Sequence, residues 1–191
     1  VGGVVGAGAG VVHAVGAARG EPGEPQADRA ASSVMKYATA RGDGDLATLR
    51  SVTCGERKQF YDGVADDAFR QQFETQKANE VLRALDPKQA EKALIAKAPG
   101  EANVPLQGEK GTFPGVPVSD LSADQKKLVE ETLKTIRSPY RTEDVDEVME
   151  ILKASGGVDK LHMAFYQQGD LKNDKVWDIW RLEGPSFVWH F

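Results

Sequence analysis

The fold is decided by the last stretch of the chain: Leu161-His162-Met163-Ala164-Phe165-Tyr166, the turn Gln168 to Asp174, Val176-Trp177-Asp178-Ile179-Trp180-Arg181-Leu182, Gly184-Pro185, and Ser186-Phe187-Val188-Trp189-His190-Phe191. Leu161, Met163 and Phe165 alternate with His162, Ala164 and Tyr166, which is the period of a strand. In the second run Trp177 and Ile179 alternate with Val176, Asp178, Trp180 and Leu182. Gly184-Pro185 marks a tight turn into a third run from Ser186 to Phe191. Three antiparallel strands in a meander are expected. The second carries apolar groups on both faces, so it is expected to be central and covered on both sides.

Upstream the period becomes helical. Ser122 lies three residues before Gln125, a capping box that starts a helix with Leu128, Val129, Leu133 and Ile136 on one face. Ser138-Pro139 stops it. Thr142 is expected to cap a second helix, with Glu143 and Asp144 in its first turn, where the helix dipole favours anions. Val145, Val148, Met149 and Leu152 are expected to face the core, and Gly156 fits the left-handed position after the helix. Packed on the meander, this pair makes the fold class α+β.

Before Gly100 the chain reads as helical. Ala31, Val34, Met35 and Ala38 mark a first apolar face, and Asp43 or Asp45 can cap a short second helix carrying Leu46 and Leu49. Phe60, Tyr61, Phe69 and Phe73 are expected in the core and lead into a helix over 77–85. Asp86-Pro87, a cap followed by proline, starts a further helix expected to reach about Lys97. The expected organisation is therefore a leader remnant over 1–18, a linker over 19–26, a helical region over 27–98, a Pro/Gly-rich connector over 99–121 packing through Phe113 and Val116, and an α+β region over 122–191.

The chain has 191 residues and a net charge of −5, with no block of Lys or Arg. Nucleic acid is not an expected partner, because such proteins need a basic face. Val1 to Ala18 is rich in Gly, Ala and Val and has no acidic residue. It reads as the apolar part of a signal peptide, of the weakly hydrophobic twin-arginine type, with cleavage after Val15-Gly16-Ala17. It is too Gly-rich for a membrane span. A tail or anchor, or a Gly-rich cofactor loop, are the competing readings of these residues. The start at Val1 and the end in mid-strand lead us to expect a sequence truncated at both ends. An exported protein, periplasmic or extracellular and without a stable span in its mature form, is the expectation.

Several of these stretches resemble one family. Phe113-Pro114-Gly115-Val116-Pro117-Val118-Ser119-Asp120-Leu121-Ser122-Ala123-Asp124-Gln125-Lys126 is similar to the helix-start motif of the domain-of-unknown-function 3500 family. So are Leu161 to Tyr166, Trp180-Arg181-Leu182-Glu183-Gly184-Pro185-Ser186-Phe187, and Asn79 to Gln89. The resemblance spans roughly residues 78–191, leaving 26–77 unplaced. It implies an exported protein. The family's activity is not established, so it implies no catalytic residue.

Chemistry is sparse. His162 and His190 occupy alternate strand positions opposite Phe165 and Trp189, and would share a face with Asp178 if the strands pair in that register. A divalent metal held by His162, Asp178 and His190, with a fourth ligand from beyond Phe191, is one reading. Solvent-facing or hydrogen-bonded strand histidines are the other. Cys54, the single cysteine, is expected to be a buried structural thiol, although Arg57 nearby would favour a thiolate. Gly108-Glu109-Lys110-Gly111-Thr112 lacks the spacing and following helix of a phosphate-binding loop. No nucleophile elbow is present, and the run Glu143 to Glu147 lacks the pattern of a calcium loop. Two function classes follow, beside the plainer reading of a structural envelope protein. One is an exported protein binding a small ligand or an envelope partner through an aromatic patch with Trp177, Trp180 and Trp189 as candidates. The other is an exported metal-assisted enzyme whose site is completed beyond Phe191.

Overall fold

Local signals start most of the helices, and the computed structural model, which describes residues 26–100 and 105–190, shows how far they carry. The expected signal segment, its cleavage point and nearly all of its linker lie outside the described residues, as does Phe191. The described residues divide into two compact units, with the boundary between Arg70 and Gln71, inside one helix.

In the first unit α1 (Gln26–Asp43), α2 (Leu46–Val52), α3 (Gly55–Gly63) and the start of α4 (Asp66–Ala84) surround a small core of Ala40, Leu46, Leu49 and Tyr61. Asp45 caps α2, accepting from the Thr48 amide at 2.9 Å. Arg50 ties the end of α3 down, donating to the Tyr61 and Val64 carbonyls at 2.9 Å each. The expected face of α1 is corrected: Val34 and Met35 are exposed, and the buried stripe is Ser33, Tyr37 and Ala40. Small residues at 33 and 40 let the helix approach its neighbours closely, which a reading of apolar periodicity passes over. Phe60 is also exposed, while Tyr61 takes the core position. Cys54 is half-buried at the start of α3 and not fully enclosed.

The second unit is α+β, and it takes in the later helices and the connector as well as the region 122–191 expected to form that body. The helix α5 (Pro87–Ala93) begins at a full capping box, Asp86 with Gln89, and α6 (Ala123–Arg137) at another, Ser122 with Gln125. Caps of this kind contribute about 1 kcal/mol each. The two boxes meet: the Gln125 amide donates to Gln89 at 2.8 Å and to the Ala84 carbonyl at 2.8 Å. Next comes α7 (Thr142–Ala154), preceded by Arg141 at the cap position, so Thr142 is its first helical residue and not its cap. Gly156 (φ 99°) and Gly157 (φ 76°) turn the chain out of it.

The meander is β3 (His162–Tyr166), β4 (Trp180–Gly184) and β5 (Phe187–His190), all antiparallel, with Pro185 and Ser186 as the turn between the last two. Two short segments share the other edge of β3: β1 (Leu94–Ile95), parallel to it, and β2 (Val116–Pro117), antiparallel. The helix expected to reach Lys97 therefore stops at Ala93 and gives way to a strand, and the connector supplies another. On one face of the sheet Met163, Phe165, Trp180, Leu182 and Val116 join Val129, Leu133 and Ile136 of α6, Leu152 of α7, and Ala78 and Val81 of α4. Each fully buried Leu, Ile, Phe or Met contributes about 1.5–3 kcal/mol.

The middle strand is shorter than expected, since Val176 to Ile179 is not part of it. The Trp177 amide donates to Asn79 Oδ1 at 2.9 Å, and its carbonyl accepts from Asn79 Nδ2 at 3.1 Å, so α4 takes up hydrogen bonds that a strand partner would otherwise make. The loop before it is built on carboxylates: Asp170 accepts from the Asp174 and Lys175 amides, and Asp174 from that of Val176.

Candidate functional site

The two faces of the sheet differ in chemistry, and each offers a candidate. Alternation turns His162, Ala164 and Tyr166 of β3, Arg181 and Glu183 of β4, and Val188 and His190 of β5 away from the core. Here the expectation of apolar groups on both faces of the middle strand is corrected: its second face is Arg181 and Glu183, both buried. Charged side chains are fully buried almost only when paired. Arg181 Nη1 lies 3.2 Å from Glu183 Oε2, and Gln107 Nε2 donates to Glu183 Oε1 at 2.8 Å. Gln107 also bonds Thr112 through both ends of its amide, and Phe113 lies against the His162 ring with centroids 5.5 Å apart. The segment 105–115 is thus strapped along this face, with Gly108 donating to the Pro185 carbonyl at 3.0 Å.

In the observed register His162 and His190 share this face. They are separated by β4: His162 stands opposite Glu183, and His190 opposite Arg181. Arg181 Nε donates to His190 Nδ1 at 3.4 Å, so that nitrogen faces a cation. Asp178 is not on the face at all. It lies before β4, and its carboxylate accepts from the Leu171 amide at 3.2 Å. The three residues are not brought together, and among the described residues no group of three His, Cys, Asp or Glu is placed to hold a metal ion. Burial pushes the His162 imidazole below its usual value, against the pull of the Asp120 and Glu183 carboxylates. Burial likewise raises the Tyr166 phenol. Tyr166 Oη, Arg181 Nη2 and His162 Nδ1 are enclosed with no hydrogen-bond partner. The contacts of Gln107 and Phe113 with Glu183 and His162 tie the strap to the sheet.

The second candidate is open. Between α7 and β5 lies a groove of about 350 Å³ lined mostly by apolar side chains, with Tyr140, Val148, Ile151, Phe187 and Trp189 along its walls and Leu106 at its margin. Tyr140 meets the Trp189 ring edge-on at 6.5 Å. Tyr140 (55%) and Ile151 (48%) are half exposed, although they are large and apolar for most of their length. Val145 and Val148, expected in the core, line this groove instead, because the apolar face of α7 is wider than the strip the sheet covers. Of the three tryptophans proposed for a patch, Trp180 is wholly buried, Trp177 packs against the core, and Trp189 alone lines the groove.

Compared with known proteins, the chain matches no family model, no curated protein and no solved structure. No helix among the described residues is long and apolar enough to cross a membrane.

Proposed function

We propose that this chain is an exported binding protein whose groove between α7 and β5 takes a small, largely apolar ligand. The observation that carries the reading is the groove itself. Its volume of about 350 Å³ falls within the size of small-molecule sites, which are concave, mostly apolar and provided with a few polar groups. Contiguous exposed apolar surface rimmed by polar residues marks an interaction site more often than a chance feature. The leader-like composition of residues 1–18 supports export, and the resemblance to the domain-of-unknown-function 3500 family agrees with it. The metal-assisted alternative draws less support, since Asp178 is engaged elsewhere and Arg181 stands beside His190.

Nile red, a neutral apolar dye whose emission rises and shifts to the blue out of water, tests this directly. Saturable binding is expected, abolished in the variant Ile151→Glu, which places a charge on the groove wall at a half-exposed position. Absence of saturable binding, or equal binding by the variant, refutes the reading.

A further inference from the structure

One charged group lines the groove without a counter-charge. Arg137 ends α6, and its Nε donates back to the Leu133 carbonyl at 2.7 Å, which anchors the side chain at the groove. No carboxylate among the described residues pairs with it. The acid that lines the groove beside it, Asp144, is already held by both arms of Arg141, at 2.9 and 2.8 Å. Arg141, which stands outside the groove wall, already pairs Asp144, so Arg137 is the lining charge left without an ion-pair partner. Burial disfavours this cation and moves it below the usual arginine value, yet an arginine stays protonated at any physiological pH. A guanidinium half removed from water, free to make paired N–H bonds, is suited to a planar carboxylate.

We infer that the ligand of this groove is an amphiphile with one anionic headgroup, a medium-chain carboxylate. Its carboxylate sits on Arg137 and its alkyl chain runs along Tyr140, Val148, Ile151, Phe187 and Trp189. The inference rests on the groove reading above and adds to it the identity of the head. Charge complementarity selects this occupant: a second copy of the chain or an added peptide strand would leave Arg137 unpaired unless it brought a carboxylate to the same point.

Calorimetric titration of the whole chain with decanoate, decanol and decyltrimethylammonium, each below its aggregation concentration, tests it without any variant. Decanoate is expected to bind about tenfold or more tightly than decanol, the scale of a charge-assisted hydrogen bond, and the ammonium most weakly. In Arg137→Gln the preference for decanoate over decanol disappears. Arg137→Lys, which keeps the charge and loses the fork, retains part of it. Equal affinity of the wild-type chain for decanoate and decanol, or a preference that survives in Arg137→Gln, overturns the headgroup assignment and leaves the groove reading standing. If none of the three binds, both fall. A concentration-dependent dimer that decanoate does not dissociate would identify a second copy as the occupant and overturn the inference.

Discussion

Replacing Glu183 by Gln should be among the most damaging single changes in the sheet unit. The side chains of Arg181 and Glu183 retain only 5% and 2% of their exposure, and the guanidinium lies 3.2 Å from the carboxylate. The change removes the charge and leaves Arg181 buried and uncompensated. Breaking such a pair costs about 3–5 kcal/mol, against about 0–1 kcal/mol for an exposed one. All three tryptophans lie in residues 71–191, so their fluorescence reports this unit's unfolding in urea. With a slope of about 2 kcal/mol/M, the midpoint should fall by about 1.5–2.5 M. The double variant Arg181→Met with Glu183→Leu removes both charges and their desolvation, and should recover most of that loss, because well-packed apolar replacements of buried pairs are often neutral. A loss under about 1 kcal/mol for the single variant would mean that water reaches the pair, and the enclosed second face of the sheet would be refuted.

Two further changes probe the same unit from other sides, and a third, in the first unit, serves as their comparison. His162 titrates below its ordinary 6.5 in the folded chain, so the unfolded chain binds its proton first as pH falls. The stability it contributes is complete above that value and declines below it, and His162→Gln should flatten the decline in urea midpoint between about pH 7 and pH 5.5 relative to the wild type. An unchanged slope would show that the imidazole is as well solvated folded as unfolded. Gly115→Ala places a Cβ at φ 97° against the Met163 carbonyl oxygen, whereas Gly42→Ala, at the end of α1, meets nothing within 4 Å. The first should cost at least about 2 kcal/mol, or about 5 °C in Tm, and the second should add about 0.5–1 kcal/mol; similar melting for both would contradict the strap's close approach to β3.

Where the physics is local, the sequence was readable. The start of α6 at Ser122, the start of α5 after Asp86, the glycine stop at Gly156 and the alternation through β3 and β5 each depend on residues within one or two turns of one another. The failures have one cause, which is that the deciding partner is distant. Leu94 and Ile95 carry no period of their own, and they become a strand because β3 offers an open edge. Val176 to Ile179 alternate well enough for a strand, yet Asn79 on α4 claims the Trp177 backbone. The second face of the middle strand is covered as expected, but by a buried charged pair in place of apolar groups, and the Gln107 that completes that pair comes from 76 positions away. For the candidate site the outcome is similar. Alternation alone left the shared face of the two histidines to the strand register, and the groove draws on residues 106, 137–152 and 186–189, where nothing in any one stretch separates a core position from a groove wall.

The clamp between Asn79 and Trp177 also bears on how the unit comes to be folded. It joins residues 98 positions apart, and the pairing of β1 with β3 spans a comparable stretch of chain. Contacts of such separation repay their loop-closure entropy only late, so proteins that depend on them fold slowly compared with helical bundles. The hairpins of the meander can form early on their own, but α4 and β1 can join them only after both ends of the unit are available. A chain still being made thus holds its amphipathic helices, and the apolar face that will later cover Met163 and Trp180, uncovered until the last strands have been synthesised.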